Sequence, residues 1–535
     1  MKHLLITIIF IFSVKAAVYA QASPPRDWHM LDFVQDHVYG ISVEKAYQTL
    51  LKDKHSTPVL VAVIDGGIDT LHEDLRSVLW HNPREKNNGM DNDGNGYKAD
   101  IYGWNFLGNR NNVNTNVVED SEESQRIYFQ YKARFENISP SALKTRHDQD
   151  LYGMWSKSKQ LISDKVTEDG KKFDAWFKKF QYYNSFLSKN LGKEEYTIGE
   201  LINYDPINTE AREMKSGFLS LTHGSPSKYT NKQLYLIVAR RYKHYLKSGP
   251  KFPDNAPVDF RSPIIKDDEN NLSDRYYGNN NVRAEKCDHG THVSGIIAAD
   301  RNNGLGIKGI ADNVKIMMVR AVPDGDEHDK DIACAIRYAV DNGAQIINMS
   351  FGKSISPGRQ WVEDAIRYAE KKNVLIVKAA GNDGINIDSL AVFPTAAYLD
   401  GPRKAANVIT VGASSASFND NKLIAPFSNY GKANVDVFAP GVNIYSTVEG
   451  GNTYKAMSGT SMACPVVTGL AALLKSYYPK LSAVQIKKII EASVFKIDQP
   501  VMKPGTDEEV PMSDLAKTGG IVNAYNALLL AQRLK

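Results

Sequence analysis

The sequence has few cysteines, few long apolar runs and no large excess of either charge. Three cysteines in 535 residues, Cys287, Cys334 and Cys464, exclude a disulfide framework, because an odd count leaves at least one thiol unpaired. Lysine and arginine number 65 against 61 acidic residues, and no basic block is present, so we expect no nucleic-acid partner. Since 42% of the residues are hydrophobic, a sizeable core must stabilise the chain instead.

The first twenty residues predict export rather than a membrane span. Lys2 and His3 precede an apolar run over residues 4–12, and small residues, among them Ala20, close the segment. This is the order of parts in a cleavable signal peptide. The alternative is a membrane anchor, but a span needs about 20 apolar residues and Lys15 interrupts this run. We expect residues 1–20 to be removed and the mature chain to be periplasmic or secreted, without a stable membrane span.

Continuous apolar runs separated by helix-length segments predict an α/β fold. The run VLVAVI at residues 59–64 is typical of a strand buried on both faces of a parallel sheet. Similar runs occur at residues 315–320, 345–349, 374–377, 408–411 and 435–438. Apolar residues at helical spacing predict helices at residues 331–341, 361–372, 462–478, 482–494 and 521–533. We expect a doubly wound parallel sheet flanked by helices, formed by residues 57–106 and 286–535.

Residues 107–285 interrupt this pattern. They are rich in Lys, Glu, Tyr, Phe and Asn and contain no run typical of a buried strand. Helical spacing at residues 121–135, 155–187 and 231–246 predicts a mostly helical insertion. The alternative is a long disordered loop, but the many aromatic residues favour an ordered segment. Residues 21–56 form a short segment with one amphipathic helix before the first strand.

An aspartate and a histidine stand where α/β sheets form their sites. Asp65 ends the first apolar run, in VIDGGID, and such sites lie at the carboxyl ends of strands. His289 begins HGTHVSG, and on a helix it shares a face with His292. Each motif has a plainer alternative. Asp65 could be an ordinary turn residue, and the two histidines could be structural or a weak zinc pair without further ligands.

A serine and an asparagine complete the set. Ser461, in GTSMACP, stands at the start of a predicted helix, where backbone N–H groups are free and the helix dipole favours negative charge. Asn382, in AAGN, follows a predicted buried strand, and its amide could donate to an oxyanion. The alternatives are a helix N-cap for the serine and a turn residue for the asparagine.

The four motifs occur in the order Asp, His, Asn, Ser, and Asp–His–Ser is a known chain order of the catalytic triad. VIDGGID, HGTHVSGIIAA, AAGN and GTSMACP resemble the signature blocks of subtilisin-like serine peptidases, over both parts of the predicted sheet domain. The resemblance implies a serine endopeptidase that forms an acyl-enzyme on Ser461. His289 would be general base and then acid, and Asp65 would orient the imidazole. Asn382 and the Ser461 N–H would form the oxyanion hole.

The resemblance also implies a pocket for the residue before the scissile bond. Its walls would be formed by Ser350, Phe351, Gly352, Ala379, Ala380 and Gly381. The insertion lies between the aspartate and histidine motifs. We expect protein or peptide substrates and a monomeric protein.

Two segments suggest structural Ca²⁺. DNDGNGYKAD places oxygen ligands at the spacing of an EF-hand loop, although the usual final glutamate is missing and Asp100 would have to substitute. The predicted ligands are Asp91, Asp93, Asn95, the carbonyl of Tyr97, and Asp100. The family resemblance implies a second site with Asp74 and Asn303 as side-chain ligands and the carbonyls of Leu305 and Ile307. The alternative for the first segment is a solvated turn.

Two other functions share these motifs. A protein of this fold could bind peptides without cleaving them, although all four catalytic residue types are present. An esterase or acyltransferase could use the same triad, because the acyl chemistry is the same. Activity of a Ser461→Ala variant separates the first alternative, and relative rates on peptide and ester substrates separate the second.

Overall fold

The computed structural model of the protein describes residues 24–222, 225–248, 251–416 and 422–534, so the predicted signal peptide lies outside the described residues. The strands are β1 Val59–Asp65, β2 Gly103–Asn105, β3 Gly108–Asn109, β4 Asn112–Asn116, β5 Val314–Arg320, β6 Ile346–Met349, β7 Leu375–Ala379, β8 Val408–Ser414, β9 Val437–Pro440, β10 Ile444–Val448, β11 Thr453–Met457, β12 Phe495–Lys496, β13 Val501–Met502, β14 Glu509–Val510 and β15 Gly520–Ile521. The helices are α1 Phe33–Asp36, α2 Val43–Thr49, α3 Glu123–Phe135, α4 Arg146–Leu191, α5 Ile198–Asn203, α6 Thr209–Leu221, α7 Asn231–Ser248, α8 Ser262–Ile265, α9 Asp288–Ala298, α10 Asp329–Asp341, α11 Arg359–Lys371, α12 Thr460–Tyr477, α13 Ala483–Ala492 and α14 Ala524–Arg533.

One nine-stranded sheet organises the molecule. Its strand order is β12-β15-β9-β8-β7-β6-β1-β5-β2. Neighbouring strands pair in parallel, except for the edge pair β12 and β15, which is antiparallel. The predicted doubly wound α/β fold is confirmed, and each predicted apolar run overlaps a strand of this sheet.

Two apolar cores, one on each face, explain why the strands are continuously hydrophobic. Val61 and Val63 of β1 pack into one core with residues of α9 and α12, whereas Ala62 and Ile64 pack into the other with residues of α10 and α11. Because successive side chains of a strand point to opposite faces, a strand covered on both sides has no face left for solvent. Full burial of a Val or Ile side chain contributes about 1.5–3 kcal/mol.

The N-terminal segment belongs to the first of these cores. Trp28, Ile41 and Val43 are almost completely buried there, and α2 packs against α14. Within the described residues, this segment is therefore an integral part of the sheet domain.

The insertion is ordered, with two small apolar cores of its own. One contains Phe180, Leu187 and Phe218, and the other contains Tyr128 and Trp155. Helices α3 to α8 form most of it, as the helical spacing predicted. The hairpin β3–β4 near its start was not predicted, because the strand sequence NVNTN is polar and mostly exposed.

Buried ion pairs fasten the insertion to the sheet domain. Arg261 of the insertion, 2% exposed, contacts Asp331 of α10 at 2.7 Å and Asp267 at 2.6 Å. Lys353 contacts Glu123 of α3 at 2.7 Å, and both side chains are buried. Removing one partner of such a pair leaves an unpaired buried charge, so these contacts fix the position of the insertion.

The three cysteines are buried and free, so no bridge forms among them. Within the described part of the chain, no helix combines the length and apolar character that a membrane crossing requires.

Candidate active site

Three adjacent parallel strands deliver the central site residues to one edge of the sheet. Strand β1 ends at Asp65, β6 is followed at once by Ser350, and β7 is followed within a few residues by Asn382. In the sheet, β6 lies between β1 and β7. Since the carboxyl ends of parallel strands share an edge, residues distant in sequence meet there.

Asp65 and His289 form the acid–imidazole pair. Nδ1 of His289 lies 2.8 Å from Oδ1 and 3.0 Å from Oδ2 of Asp65. The N–H of Gly66 donates to the same carboxylate at 2.7 Å and fixes its orientation. Because the carboxylate accepts, Nδ1 carries the proton, and Nε2 of the neutral ring is left as the acceptor.

This pairing changes the acid–base behaviour of the histidine. Burial disfavours the imidazolium, but the charge of Asp65 and its hydrogen bond outweigh burial and raise the pKa of His289 above its ordinary value of 6.5. The carboxylate is almost fully buried, whereas 43% of the imidazole is exposed. The ring is therefore a base that is accessible from the surface.

Ser461 lies in the first turn of α12, and this helix packs against α9, which carries His289. In this structure the Ser461 hydroxyl donates to the carbonyl oxygen of Ser350 at 3.0 Å. Among the hydrogen bonds of the described residues, none joins Ser461 to His289. The Ser461 hydroxyl is thus held by Ser350 rather than by His289.

A second hydrogen bond joins Ser350 to Ser461, and Pro465 explains why it forms. The sequence predicts this helix from residue 462, but it starts at Thr460, so the proline lies in its second turn. A proline has no N–H for the carbonyl four residues earlier, which is that of Ser461. The Ser350 hydroxyl donates to that carbonyl at 2.9 Å and replaces the missing bond.

Thr460, which the sequence analysis did not single out, orients the amide of Asn382. The N–H and hydroxyl of Thr460 donate to Oδ1 of Asn382 at 2.8 and 3.0 Å. Since a backbone N–H can only donate, the oxygen of the amide must face Thr460, and Nδ2 points elsewhere as a free donor.

The space beside Gly459 adjoins the Asn382 Nδ2 donor. A Cβ atom built on Gly459 would lie 3.6 Å from the Ser461 nitrogen and 3.7 Å from Asn382 Nδ2. The two nitrogens therefore flank one small space, which a side chain at position 459 would invade.

A cavity of about 700 Å³ opens beside these residues. It is lined by Phe351, Gly352 and Gly381 of the predicted pocket, together with Asn382 and Ser461.

Of the other three predicted pocket residues, one reaches the cavity. Ser350 and Ala380 are buried and do not line the cavity, whereas Ala379 does. The sequence analysis missed Val392, which lines the cavity just before the Phe393–Pro394 turn.

The buried carboxylate of Glu85 lies beside two acids of the predicted calcium loop. Carboxylate oxygens of Glu85, Asp91 and Asp93 lie within 4.8 Å of one another. Oε1 of Glu85 accepts the N–H groups of Asn92 and Asp93, but its buried Oε2 has no hydrogen-bond partner among the residues that the structure describes. An unpartnered buried carboxylate oxygen facing two other acids fits a hard cation.

All the predicted side-chain ligands of this loop also have partners in the protein. Asp91 accepts the N–H groups of Gly94 and Gly96, and Asp93 pairs with Arg84 at 3.1 Å.

Asn95 donates to Asp100 at 3.2 Å and accepts the Tyr97 N–H at 2.8 Å. Asp100 is fully buried and also accepts the Tyr338 hydroxyl at 2.6 Å. Burial raises the pKa of Asp100 to about 6. Asp100 thus serves a buried hydrogen-bond network.

Asp74 and Asn303 lie together, as the resemblance implied, but they contact each other directly. The Asn303 amide donates to Asp74 at 2.7 Å, and the other carboxylate oxygen accepts the Ile307 N–H at 3.0 Å and the Tyr454 hydroxyl at 3.2 Å. Oδ1 of Asn303 accepts the Leu305 N–H at 2.8 Å. In this arrangement the side-chain oxygens are already occupied.

Among known proteins, this chain is similar to serine proteinases and subtilisins. A thermophilic serine proteinase of Bacillus sp. (strain AK1) is 46% identical over 241 residues, which are 45% of this chain and 52% of that protein. Subtilisin BL of Lederbergia lenta is 40% identical over 200 residues, 37% of this chain and 67% of that protein. The chain therefore spans about half to two thirds of the length of these relatives.

Among solved structures, the protease domain of PatA, determined as a serine-to-alanine variant, is 28% identical, with a TM-score of 0.37 over 48% of this chain and 85% of that one. The family model described as "Subtilase family" matches residues 56–519, most of the chain. This protein belongs to the subtilase family.

Proposed function

We propose that the protein is a serine endopeptidase that cleaves peptide bonds through an acyl-enzyme on Ser461. The observation that carries the proposal is the hydrogen bond of His289 Nδ1 to the buried carboxylate of Asp65, at 2.8 Å. It fixes the tautomer in which Nε2 can take a proton. Membership of the subtilase family supports the same assignment.

In the first step, Ser461 Oγ attacks the scissile carbonyl carbon while its proton passes to His289 Nε2. The proton must leave its bond to the Ser350 carbonyl, so we expect substrate binding to turn the hydroxyl toward the imidazole. Asp65 stabilises the imidazolium that forms and remains ionised.

Negative charge develops on the carbonyl oxygen in this step. The Ser461 N–H and Asn382 Nδ2 flank the space beside Gly459 and would donate to that oxygen. Thr460 holds the Asn382 amide in the orientation that this task needs. Donors fixed before the reaction need no reorganisation as the charge appears.

The intermediate then collapses. The C–N bond breaks, His289 gives its proton to the leaving amine, and the acyl group stays on Ser461. Water, deprotonated by His289, attacks the ester and returns the free hydroxyl.

Casein digestion tests this function. The wild type should release peptides and Ser461→Ala should release none. Equal absence of cleavage by both proteins would favour a peptide-binding protein. Rapid hydrolysis of simple esters without any peptide cleavage would favour an esterase.

The raised pKa of His289 predicts how peptide hydrolysis depends on pH. Below that pKa the imidazole is protonated and cannot accept the Ser461 proton, so kcat/KM should rise as pH increases through it. We expect the acid limb of the kcat/KM profile to bend above pH 6.5, the ordinary histidine value. A peptide-hydrolysis profile whose acid limb bends at or below 6.5 would contradict this role of Asp65.

Substrate, location and domain roles extend the proposal. The cavity beside Phe351 and Gly381 can receive the side chain before the scissile bond. We propose an exported, monomeric enzyme that acts on proteins or peptides. Residues 57–106 and 286–535 would form the peptidase domain, and residues 107–285 an insertion that borders its cleft.

We further propose Ca²⁺ at the cluster of Glu85, Asp91 and Asp93. Hard oxygen ligands suit this ion, and Glu85 provides the buried carboxylate that the EF-hand spacing lacked. At the second predicted position, Asp74 and Asn303 satisfy each other, so we do not extend the proposal to that pair.

Calcium should stabilise the folded protein. At about 100 times its Kd, a ligand that binds only the folded state raises the free energy of unfolding by about 2.7 kcal/mol. The wild type should therefore melt at a higher temperature in calcium than in chelator, whereas Glu85→Gln should melt alike in both. Glu194→Gln changes a fully solvated acid, 93% exposed, and should keep the calcium response. A calcium response in Glu85→Gln equal to that of the wild type would contradict the site.

A further inference from the structure

The cavity beside Ser461 has a second wall that belongs to the insertion. The sheet domain forms the first wall with Phe351 and Gly381. The segment of Asp326 and Glu327 also lines the cavity. Helix α4 completes the cavity with one face, contributing Leu161, Asp164, Lys165, Glu168, Asp169 and Lys172. These positions recur at the three- and four-residue spacing of a single helix face.

The helix is held in this place by specific contacts. Nζ of Lys157, on α4, donates to the carbonyl of Ser354 in the cleft wall at 2.7 Å. The N–H of Glu123, at the start of α3, donates to Asp326 at 2.8 Å. The insertion therefore borders the substrate site.

The lining is strongly acidic. Seven carboxylates and three lysines contribute to it. Each lysine is already paired: Lys165 with Glu122, Lys172 with Glu168 at 2.7 Å, and Lys353 with Glu123 at 2.7 Å. Within the described parts of the chain, five lining carboxylates have no ion pair, and they are Asp164, Asp169, Asp326, Glu327 and Asp383.

One of these acids, Glu327, is buried in the wall of the cleft, and its neighbour Asp326 is half-buried. Glu327 is only 3% exposed, and burial raises its pKa to about 8. Burial also raises the pKa of Asp326. Carboxyl groups in such surroundings are stabilised in their charged form when a cation approaches them.

We propose that this cleft selects substrates with lysine or arginine among the residues just before the scissile bond. The inference rests on the proposed peptidase function and names its substrate class. A cationic side chain would pair with the exposed acids Asp164 and Asp169 and would favour the ionised forms of Asp326 and Glu327, whereas an acidic one would be repelled. Asp164 and Asp169 of α4 would make the insertion a specificity element.

Internally quenched peptides test the preference. Members of the set differ at one position only, with Lys, Gln or Glu placed in turn at each of the four residues before one scissile bond. Mass spectrometry confirms the bond that is cut. We expect kcat/KM to fall from Lys to Gln to Glu at one or more positions, with a Lys-to-Glu ratio of about tenfold or more.

A double variant tests the role of the insertion. Asp164→Asn with Asp169→Asn removes two exposed charges of the cleft and should lower the Lys-to-Glu ratio by about threefold or more. The matched control, Asp150→Asn with Glu194→Gln, removes two exposed charges of the insertion outside the cleft and should leave the ratio unchanged. Added salt should weaken the preference, because exposed charges are screened.

The possible results separate this inference from the function on which it rests. Equal cleavage of the Lys, Gln and Glu peptides at all four positions would overturn the preference and leave the peptidase intact. A ratio that the cleft variant leaves unchanged would overturn the role of α4. If no peptide is cleaved by the wild type, the proposed function fails and this inference fails with it.

Discussion

Ser461→Ala is expected to abolish peptide cleavage while leaving the fold intact. The change removes the only atom proposed to bond covalently to substrate. In subtilisin, where the corresponding loss has been measured, kcat falls about 10⁶-fold, and we use that value as a benchmark rather than as a derived magnitude. The fold should survive, because within the described residues the hydroxyl donates one hydrogen bond, to the Ser350 carbonyl, worth about 1 kcal/mol.

The measurement is the rate of casein and peptide hydrolysis, with thermal unfolding as the control for folding. Ser458→Ala is the matched variant, since it removes an exposed hydroxyl three residues away that accepts from the Asn443 N–H. It should cleave at close to the wild-type rate. Cleavage by Ser461→Ala within about tenfold of wild type would assign the nucleophile to another residue.

Asp65→Asn is expected to lower kcat by about 10⁴-fold at neutral pH, the loss seen when the same change is made in a serine peptidase of another fold. An amide has nearly the same shape as the carboxylate, so the geometry should be kept. Its NH₂ group, however, can donate to Nδ1 of His289. The imidazole would then carry its proton on Nε2 and could not accept one from Ser461.

The pH profile separates this cause from a structural one. Without the Asp65 charge, the pKa of His289 should fall toward or below its ordinary value. Asp288→Asn is the control, because Asp288 adjoins His289 in sequence but accepts from the Glu449 N–H at 2.9 Å. An Asp65→Asn variant with kcat close to wild type would remove the carboxylate from the proposed mechanism.

The sheet could be predicted from the sequence because burial on both faces leaves a clear signal. Strand β1 has apolar residues at every position from 59 to 64, and the structure extends it by one residue to Asp65. Short edge strands gave no such signal. Ile521 was predicted to begin a helix, but it pairs in β15, and α14 begins at Ala524 after an N-cap bond from Asn526 to Asn523.

Helix starts were predicted less well, because capping depends on contacts distant in sequence. The apolar pattern placed the start of α12 at residue 462, whereas the helix begins at Thr460. Pro465 therefore lies in the second turn of the helix. The Ser350 hydroxyl, which satisfies the carbonyl that this proline leaves open, comes from a different strand end and has no local signature.

Within the candidate site, the motifs pointed to the side chains proposed to react but not to the groups that hold them. Asp65 and His289 were expected to pair, and they do. Thr460, Ser350 and Val392 were missed, since their roles arise from packing. Glu85 was missed because it lies outside the EF-hand spacing. The acidic face of α4 was missed because the local sequence does not show which way a helix faces.

The most direct test of the account is a crystal structure of the protein with a peptide phosphonate that traps the tetrahedral state. Phosphorus should be bonded to Ser461 Oγ, with His289 Nε2 within hydrogen-bond distance of that oxygen. The phosphonyl oxygen should lie about 2.7–3.1 Å from the Ser461 nitrogen and from Asn382 Nδ2. A phosphonate attached to another residue, or with its oxygen turned away from both donors, would contradict the proposed mechanism.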